Sequence, residues 1–263
     1  MQFADKIIWI TGASSGIGAA LAKALSKRGA MLMLSSRNKE QLELVRQQCA
    51  HPNEVFLFPL DVTDFKAIER VADDIVNQFG MIDILINNAG ISQRSLVADT
   101  LLEVDQKIMD VNYFGNIALT KAMLPGMLIR KSGQVVVISS VMGKVGTPVR
   151  SAYAASKHAL HGFYDSLRAE VEKDGVAITV ICPGYVQTQV SVNALTGDGS
   201  TFQKMSDGNS KGLTADAFAE KALRVIAARK KEAYIGGKEL LAIYVRRFFP
   251  SLWFWIVQRI KVT

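Results

Sequence analysis

Cysteine and histidine are scarce in this chain, whose 263 residues include two of the former and three of the latter. The cysteines, Cys49 and Cys182, lie far apart, and the histidines have no metal-ligand spacing relative to them. We therefore expect neither a disulfide framework nor a bound metal. A reducing compartment is favoured, because disulfides form and persist mainly in oxidising ones.

Long apolar runs are also absent. No stretch reaches the roughly 18 apolar residues that a membrane-spanning helix needs. The N-terminal sequence MQFADKIIWITGASSG contains no apolar signal core and no small-residue cleavage site, and it leads directly into a predicted strand. We expect a cytoplasmic protein, for which peripheral contact with a membrane surface stays open.

Acidic residues are rare near the C-terminus, and this accounts for the net charge of +7. Between Lys221 and Thr263, ten basic residues are opposed by two acidic ones, and Trp253 and Trp255 lie among them. Aromatic residues flanked by basic ones suit a membrane interface. A wall for a lipophilic substrate or a subunit contact would use the same residues. No nucleic-acid partner is expected, because the basic excess is confined to one aromatic-rich end without a reading motif.

Short apolar runs alternate with segments of helical periodicity along most of the chain. Runs such as KIIWIT are almost continuously apolar, which is typical of strands buried on both faces of a parallel sheet. Alternating strands and helices form right-handed βαβ crossovers, whose natural closure is a doubly wound sheet. We predict a single α/β, Rossmann-like domain with a mostly parallel seven-stranded sheet and helices on both faces. The predicted strands are 6–11, 31–36, 54–62, 82–90, 133–140, 176–184 and 232–237.

Residues 1–237 are predicted to form the dinucleotide-binding catalytic domain, and residues 238–263 a basic, aromatic, apolar tail. Within the domain, segment 183–214 has no strong periodicity and contains recurring glycines. An irregular loop of this length inside a compact domain is usually functional or mobile. We interpret it as a lid that closes over the substrate.

A glycine-rich turn, TGASSGIG, separates the first predicted strand from the first helix. Glycines there let a diphosphate approach the backbone, where free N–H groups and the positive end of the helix dipole attract it. The spacing is not the G-x-G-x-x-G fingerprint, but the position in the first βαβ unit indicates nucleotide binding. The predicted cofactor residues of this turn are Gly12, Ser14, Ser15, Gly16, Ile17 and Gly18.

No acidic residue ends the second strand, where one would hold the ribose 2′-hydroxyl of NAD(H). The sequence there is LSSRN, so Ser36 is followed by Arg37. A guanidinium can bind a phosphate through two parallel hydrogen bonds. We therefore predict NADP(H) as the cofactor, with Arg37 on its 2′-phosphate.

Tyr153 and Lys157 lie four positions apart in SAYAASKHAL and share one face of a predicted helix. A free tyrosine has a pKa of about 10 and is a poor base at neutral pH. A nearby ammonium stabilises the phenolate, so we expect Lys157 to lower the pKa of Tyr153. Tyr153 would protonate a carbonyl oxygen during reduction or accept the hydroxyl proton during oxidation. Ser140, at the end of the fifth strand, would hydrogen-bond that oxygen.

Six motifs, in order, resemble the short-chain dehydrogenase/reductase family: TGASSGIG, NNAG, Asn112 in DVNYFG, Ser140 in ISSVMG, YAASK and PGYVQT. The resemblance covers about residues 5 to 237, and SVNALTGDGS and LLAIYVRRFFPSLWF are similar to its dehydrogenase/reductase member 7 branch. It implies that Asn112 positions a proton-relaying water and that Lys157 also holds the nicotinamide ribose. Further cofactor contacts implied by the resemblance are Asp61, Val62, Asn88, Ala89, Gly90, Tyr153, Pro183, Gly184, Val186 and Thr188.

Together these features predict an NADP(H)-dependent oxidoreductase that interconverts a carbonyl and an alcohol on a lipophilic small molecule. Its catalytic residues would be Asn112, Ser140, Tyr153 and Lys157. The cofactor would carry the hydride, and the protein would supply position and the proton. The alternative is a nucleotide-binding sensor or scaffold without turnover, because a fold alone does not prove function. A homodimer or homotetramer is the expected assembly.

Overall fold

A computed structural model describes residues 3–259 of the chain, and it contains an alternating series of strands and helices. The strands of this described range are β1 (Ile7–Thr11), β2 (Met31–Ser35), β3 (Val55–Leu57), β4 (Ile84–Asn87), β5 (Gly133–Ile138), β6 (Val176–Pro183), β7 (Val186–Gln187), β8 (Leu213–Thr214) and β9 (Glu232–Ile235). Its helices are α1 (Gly16–Ser26), α2 (Lys39–Gln47), α3 (Phe65–Phe79), α4 (Leu102–Met109), α5 (Gly115–Arg130), α6 (Ser151–Val171), α7 (Asp207–Ser210), α8 (Ala215–Ala227), α9 (Leu241–Phe248) and α10 (Pro250–Val257).

Seven of the strands form one sheet in the order β3–β2–β1–β4–β5–β6–β9. All neighbouring strands in it are parallel, as in the pairing of Ile8 with Leu32 and with Ile84. The order reverses between β1 and β4, and ligands of open α/β sheets bind outside the strand ends at such a switch point. The predicted doubly wound α/β fold is confirmed.

The sheet separates two layers of hydrophobic core. Ile8 and Ile10 of β1 pack in the layer under α1, α2 and α8, whereas Trp9 packs in the layer under α3, α5 and α6. Successive strand residues point to opposite faces, so a strand covered on both sides is mostly apolar. Accordingly β4 and β5 are buried at every position and are apolar except for one hydrogen-bonded polar residue each, Asn87 and Gln134. Cys49 and Cys182 are also buried, and both are free thiols.

Segment 183–214 has more regular structure than the sequence predicts. It contains β7, which pairs with β8, and the short helix α7. Leu195, in the middle of the segment, forms bridges with Gln93 and with Thr201. The pairing of β7 with β8 and the bridge from Leu195 to Gln93 join residues that are distant in sequence, so local periodicity could not reveal them.

The C-terminal tail folds into α9 and α10, which pack against the loop after β5. Ile243 and Trp253 are buried there with Val141 and Val145. Within residues 3–259, no helix combines the length and the apolar character needed to cross a bilayer. The tail residues 260–263 lie outside the described part of the chain.

Candidate active site

A cleft of about 590 Å³ lies at the carboxyl ends of the central strands. The glycine turn after β1 and the residues after β2, β4, β5 and β6 all contribute to its walls. The structure therefore brings together segments that the sequence separates by more than a hundred residues. The predicted cofactor residues that line it are Gly12, Ser14, Ser15, Gly16, Ile17, Arg37, Asp61, Val62, Asn88, Ala89, Gly90, Tyr153, Lys157, Pro183, Gly184, Val186 and Thr188.

The glycine turn owes its shape to close packing against the loop after β4. Gly12 has φ of 63°, and a Cβ there would lie 2.8 Å from the Cα of Ala89. The side-chain amide of Asn88 donates hydrogen bonds to the carbonyl oxygens of Thr11, at 3.0 Å, and Gly12, at 3.1 Å. These contacts hold the turn at the N-terminus of α1, where a diphosphate would face the positive end of the helix dipole.

Gly18 differs from the other predicted cofactor residues because it does not line the cleft. It lies in the first turn of α1, and a Cβ at this position would be 2.2 Å from the carbonyl oxygen of Gly12. Its contact with a cofactor stays a prediction, and the structure shows a packing role. Because Gly18 has no side chain, the first turn of α1 can pack directly against the backbone of the glycine turn.

Replacing Gly18 with alanine should destabilise the turn and weaken cofactor binding. Forcing a methyl group into a packed site typically costs about 1–3 kcal/mol, which corresponds to several degrees in Tm. Gly162 is a matched control, because it is also helical and nothing lies within 4 Å of a Cβ placed there. Gly162→Ala should be neutral or stabilising, since glycine costs about 1 kcal/mol relative to alanine in a helix. Equal Tm values for the two variants in differential scanning calorimetry would contradict this account.

Arg37 lies at the rim of the cleft after β2 and is exposed. Within residues 3–259 its guanidinium makes no hydrogen bond and no ion pair. The neighbouring Asn38 caps α2 by accepting a hydrogen bond from the backbone N–H of Gln41 at 2.9 Å. Arg37 is therefore a cation available to a ligand phosphate, while the residue beside it holds the helix in place.

Tyr153 and Lys157 converge on the cleft from α6, as their spacing predicts. The ammonium Nζ of Lys157 lies 5.8 Å from the centre of the Tyr153 ring and donates a hydrogen bond to the Ile138 carbonyl at 2.9 Å. Lys157 is 4% exposed, and burial lowers its pKa to about 8. The charged ammonium therefore still predominates at neutral pH, although burial disfavours it.

The expected lowering of the Tyr153 pKa by Lys157 is wrong for the protein alone. Burial raises the pKa of Tyr153 above its usual value. A hydrogen bond with Ser140 and the positive charge of Arg150 oppose this rise but do not outweigh it. The reason is desolvation, which disfavours the phenolate and which helical spacing alone does not show. Tyr153 is therefore a protonated phenol at neutral pH.

Ser140 links the end of β5 to the tyrosine. It is 9% exposed, lines the cleft and accepts a hydrogen bond from the backbone N–H of Met142 at 3.1 Å. This contact fixes the hydroxyl oxygen, and the hydroxyl hydrogen-bonds to Tyr153 as well. Two hydroxyl groups thus face the same space, where both could contact one substrate oxygen.

Asn112 is fully buried and does not line the cleft. It lies in a π-helical turn, Asp110–Phe114, between α4 and α5, and such turns are often found at functional sites. Its side chain accepts from the N–H of Ile91 at 2.8 Å and donates to the Ile91 carbonyl at 2.9 Å and to Ser156 at 3.0 Å. Asn112 therefore fixes the loop after β4 against the helix that carries Tyr153.

Gln93 is a positioning residue that the sequence did not reveal. It is fully buried, and its side chain accepts a hydrogen bond from the N–H of Ala152 at 2.9 Å and donates to Thr100 at 3.1 Å. The backbone beside it binds the lid, because the N–H of Leu195 donates to the Ser92 carbonyl at 2.9 Å. No local signal marks these contacts, since their partners are distant in sequence.

Behind the cleft, the fold brings His161, Cys182 and Glu232 together. Their ligand atoms lie within 4.8 Å of one another, although their spacing in sequence shows no metal pattern. Burial lowers the pKa of His161 to about 4 and raises that of Cys182 to about 12, so both are neutral. Glu232 is already engaged by Lys144 at 3.0 Å and by Tyr234. Cys182 and Glu232 thus have partners within or beside the cluster, whereas the Nδ1 of His161 is buried without a partner among residues 3–259.

The family model described as short chain dehydrogenase matches residues 6–198. A similar protein is the dehydrogenase/reductase SDR family protein 7-like of Anopheles gambiae, 44% identical over 97% of this chain and 82% of its own length. The dehydrogenase/reductase SDR family member 7B of Xenopus tropicalis is 42% identical over 95% of this chain and 84% of its own.

Solved structures show the same architecture. A short-chain dehydrogenase from Streptomyces avermitilis is 28% identical, with a TM-score of 0.83 over 98% of this chain and 99% of its own. An alcohol dehydrogenase from Thermococcus sibiricus, complexed with 5-hydroxy-NADP, is 25% identical, with a TM-score of 0.75 over 89% of this chain and 97% of its own. The chain therefore belongs to the short-chain dehydrogenase/reductase family of oxidoreductases, in its dehydrogenase/reductase member 7 branch.

Proposed function

We propose that this protein is an NADP(H)-dependent oxidoreductase that interconverts a carbonyl and an alcohol. One observation carries the proposal: the Tyr153 phenol, hydrogen-bonded to Ser140, lies beside Lys157 in the cleft that the glycine turn opens. A proton donor at such a place serves a reaction in which an oxygen gains or loses a proton. This convergence argues against the alternative of a nucleotide-binding scaffold without turnover.

Several residues of the cleft fit a nicotinamide dinucleotide. The close approach of Gly12 to Ala89 shapes the turn at the N-terminus of α1, where the N-cap Ser15 makes no side-chain hydrogen bond to the helix and a diphosphate would face the first N–H groups. The unpaired guanidinium of Arg37 suits a 2′-phosphate, and no carboxylate follows β2 to repel it. The likeness to the Thermococcus sibiricus enzyme, which was complexed with an NADP derivative, supports the same choice.

The protein's part in the reaction is to hold the carbonyl and to deliver a proton to its oxygen. A bound nicotinamide supplies the hydride. Ser140 would donate a hydrogen bond to the substrate oxygen and stabilise its developing negative charge. Tyr153 would then transfer its phenolic proton to that oxygen, and Lys157 would stabilise the phenolate that is left.

The substrate is proposed to be lipophilic, because apolar residues line the cleft beside the lid. Ile91, Val190 and Leu195 all contribute to that wall. The test is to follow NADPH and NADH absorbance with a panel of steroid, retinoid, fatty and sugar carbonyls. Faster consumption of NADPH with the apolar members would support the proposal, and no consumption with any member would count against it.

We also propose that the tail places a cytoplasmic protein against an anionic membrane surface. Phe248 is 68% exposed, Phe249 63% and Trp255 57%, although α9 and α10 are anchored to the domain. Arg246 stacks over Phe254 at 5.0 Å, and Arg259 over Trp255 at 4.3 Å. The positive charges beside exposed aromatic rings complement anionic lipid headgroups.

Replacing Arg246 and Arg247 with glutamine should weaken binding to anionic vesicles about tenfold or more, because each basic residue near such a surface contributes about 1 kcal/mol. Cosedimentation with phosphatidylcholine vesicles, with and without phosphatidylserine, measures this. Lys173→Gln removes one charge from an exposed position at the end of α6 and serves as the control. Equal binding to both vesicle types would contradict the proposal. The surface would instead be a contact with a second copy of this chain if the parent protein binds no vesicles and the double variant no longer forms a dimer or tetramer.

A further inference from the structure

Arg94 is a buried arginine in the loop after β4, close to the lid. It is 7% exposed, and its backbone N–H donates to the Leu195 carbonyl at 2.8 Å. Its guanidinium lies over the ring of Phe202, 5.6 Å from the ring centre. Leu195 lines the cleft and Phe202 belongs to the lid segment, so Arg94 lies between the β4 loop and the lid.

No acidic group among residues 3–259 neutralises this guanidinium. Within that range its side chain has no ion pair and no hydrogen bond, and its Nε is buried without a partner. The terminal nitrogens Nη1 and Nη2 are not buried in this way, so they remain accessible to solvent or to a ligand. An uncompensated buried charge costs several kcal/mol. A protein that keeps one commonly does so for a ligand of opposite charge.

Arg150 adds a second positive charge near Arg94, and neither side chain is among those that line the cleft. Arg150 is half-buried, directly precedes α6, and has no side-chain hydrogen bond or ion pair within the described range. The pKa of Arg94 is lowered to about 10, mainly by burial and further by the positive charge of Arg150. That charge acts on Tyr153 as well. Two like charges thus share one region beside the proposed proton donor.

We infer that Arg94 and Arg150 bind an anionic group of the substrate, a carboxylate or a phosphate, while the lid holds its apolar part. The substrate class is therefore an amphiphilic carbonyl compound or alcohol rather than a purely lipophilic one. This inference rests on the proposed function for the reaction itself. The anion site, however, rests on the two unpaired guanidinium groups and can be tested without turnover.

The test compares ligands that share an alkyl chain and differ in charge. Isothermal titration calorimetry with the full-length protein, with and without NADP⁺, would measure binding of octanoate, octyl phosphate and 1-octanol. We expect the parent protein to bind at least one anion about ten times more tightly than octanol, and Arg94→Gln to remove most of that difference. A hydrogen bond to a charged group contributes about 1.5–3 kcal/mol, which is about 10- to 100-fold.

Two further variants separate binding from a structural role. Lys204→Gln removes an exposed charge from the same lid segment and should leave the anion preference unchanged. Arg150→Gln should reduce the preference even if Arg94→Gln does not fold, because Arg150 is only half-buried. A comparison of octanoate with octyl phosphate shows whether the site prefers a carboxylate or a phosphate.

The inference is overturned by any of three results. These are equal affinity of the parent protein for octanol and both anions, an unchanged preference in the arginine variants, or an equal loss of octanol and anion binding in them. A failure of the proposed oxidoreductase function would look different. Carbonyl substrates would then cause no NADPH oxidation, whereas the charge preference in calorimetry would persist.

Discussion

Tyr153→Phe should lower kcat for carbonyl reduction by about 10²- to 10⁴-fold, the usual contribution of a general acid. The variant keeps the ring beside Lys157 and removes only the hydroxyl that Ser140 contacts. Cofactor affinity should change little, because the glycine turn and Arg37 are unaffected. Steady-state rates of NADPH oxidation and fluorescence titration with NADPH measure the two quantities separately.

Tyr113→Phe is the matched control for this change. Tyr113 is half-buried and packs edge-on against Phe114 and Phe163, and its hydroxyl has no hydrogen bond within the described residues. It should retain the parent kcat and Tm. A Tyr153→Phe variant with more than about a tenth of the parent kcat would remove Tyr153 from the role of proton donor.

The direction of catalysis should depend on pH through the same residue. Because burial raises the Tyr153 pKa, the phenol is protonated across the neutral range, and carbonyl reduction should vary little there. Alcohol oxidation needs the phenolate, so its kcat/KM should rise with pH, by up to about tenfold per unit below the pKa. A bell-shaped or falling profile for oxidation between neutral and alkaline pH would contradict this assignment.

Arg37→Gln should lower the affinity for NADPH by about 10- to 100-fold, the value of charge-assisted hydrogen bonds to a phosphate. Affinity for NADH should stay nearly constant, since NADH has no 2′-phosphate. Replacing Ser36 with aspartate in the same variant should favour NADH further, because a carboxylate at the end of β2 accepts hydrogen bonds from the ribose hydroxyls. The ratio of kcat/KM values for the two cofactors reports the change.

Arg70→Gln provides the control for the loss of one positive charge. Arg70 lies on α3 outside the cleft, and its side chain is 68% exposed. It should leave the cofactor ratio unaltered. If the parent protein already prefers NADH, or if Arg37→Gln weakens both cofactors equally, Arg37 has no part in selecting the cofactor.

The strands and the glycine turn could be predicted because their cause is local. β5 is buried on both faces, so four consecutive apolar residues, 135–138, make it visible in the sequence, although the buried Gln134 precedes them. The same holds for the ends of α3, where Asp64 caps the helix and Gly80, with φ of 82°, ends it. The regular elements of the lid were not predictable, because β7 needs β8 as a partner across 25 residues.

The protonation states of Tyr153 and Lys157 could not be predicted from local sequence. The i, i+4 spacing correctly places Tyr153 and Lys157 on one face of α6, but spacing does not report desolvation. Lys157 is enclosed and donates to the Ile138 carbonyl, and burial of Tyr153 outweighs the contacts that favour its phenolate. Only the surrounding side chains determine how much water each group loses, and that loss dominates both pKa shifts.

By itself, the sequence determined the order of strands and helices, the nucleotide-binding turn and the shared face of the tyrosine and lysine. These depend on residues that are neighbours along the chain. The tertiary structure alone decided that Arg94 is buried without a counter-ion among residues 3–259, that Gly18 packs against Gly12, and that Tyr153 stays protonated. Burial and charge compensation depend on distant segments, and those meet only when the sheet and the lid have assembled.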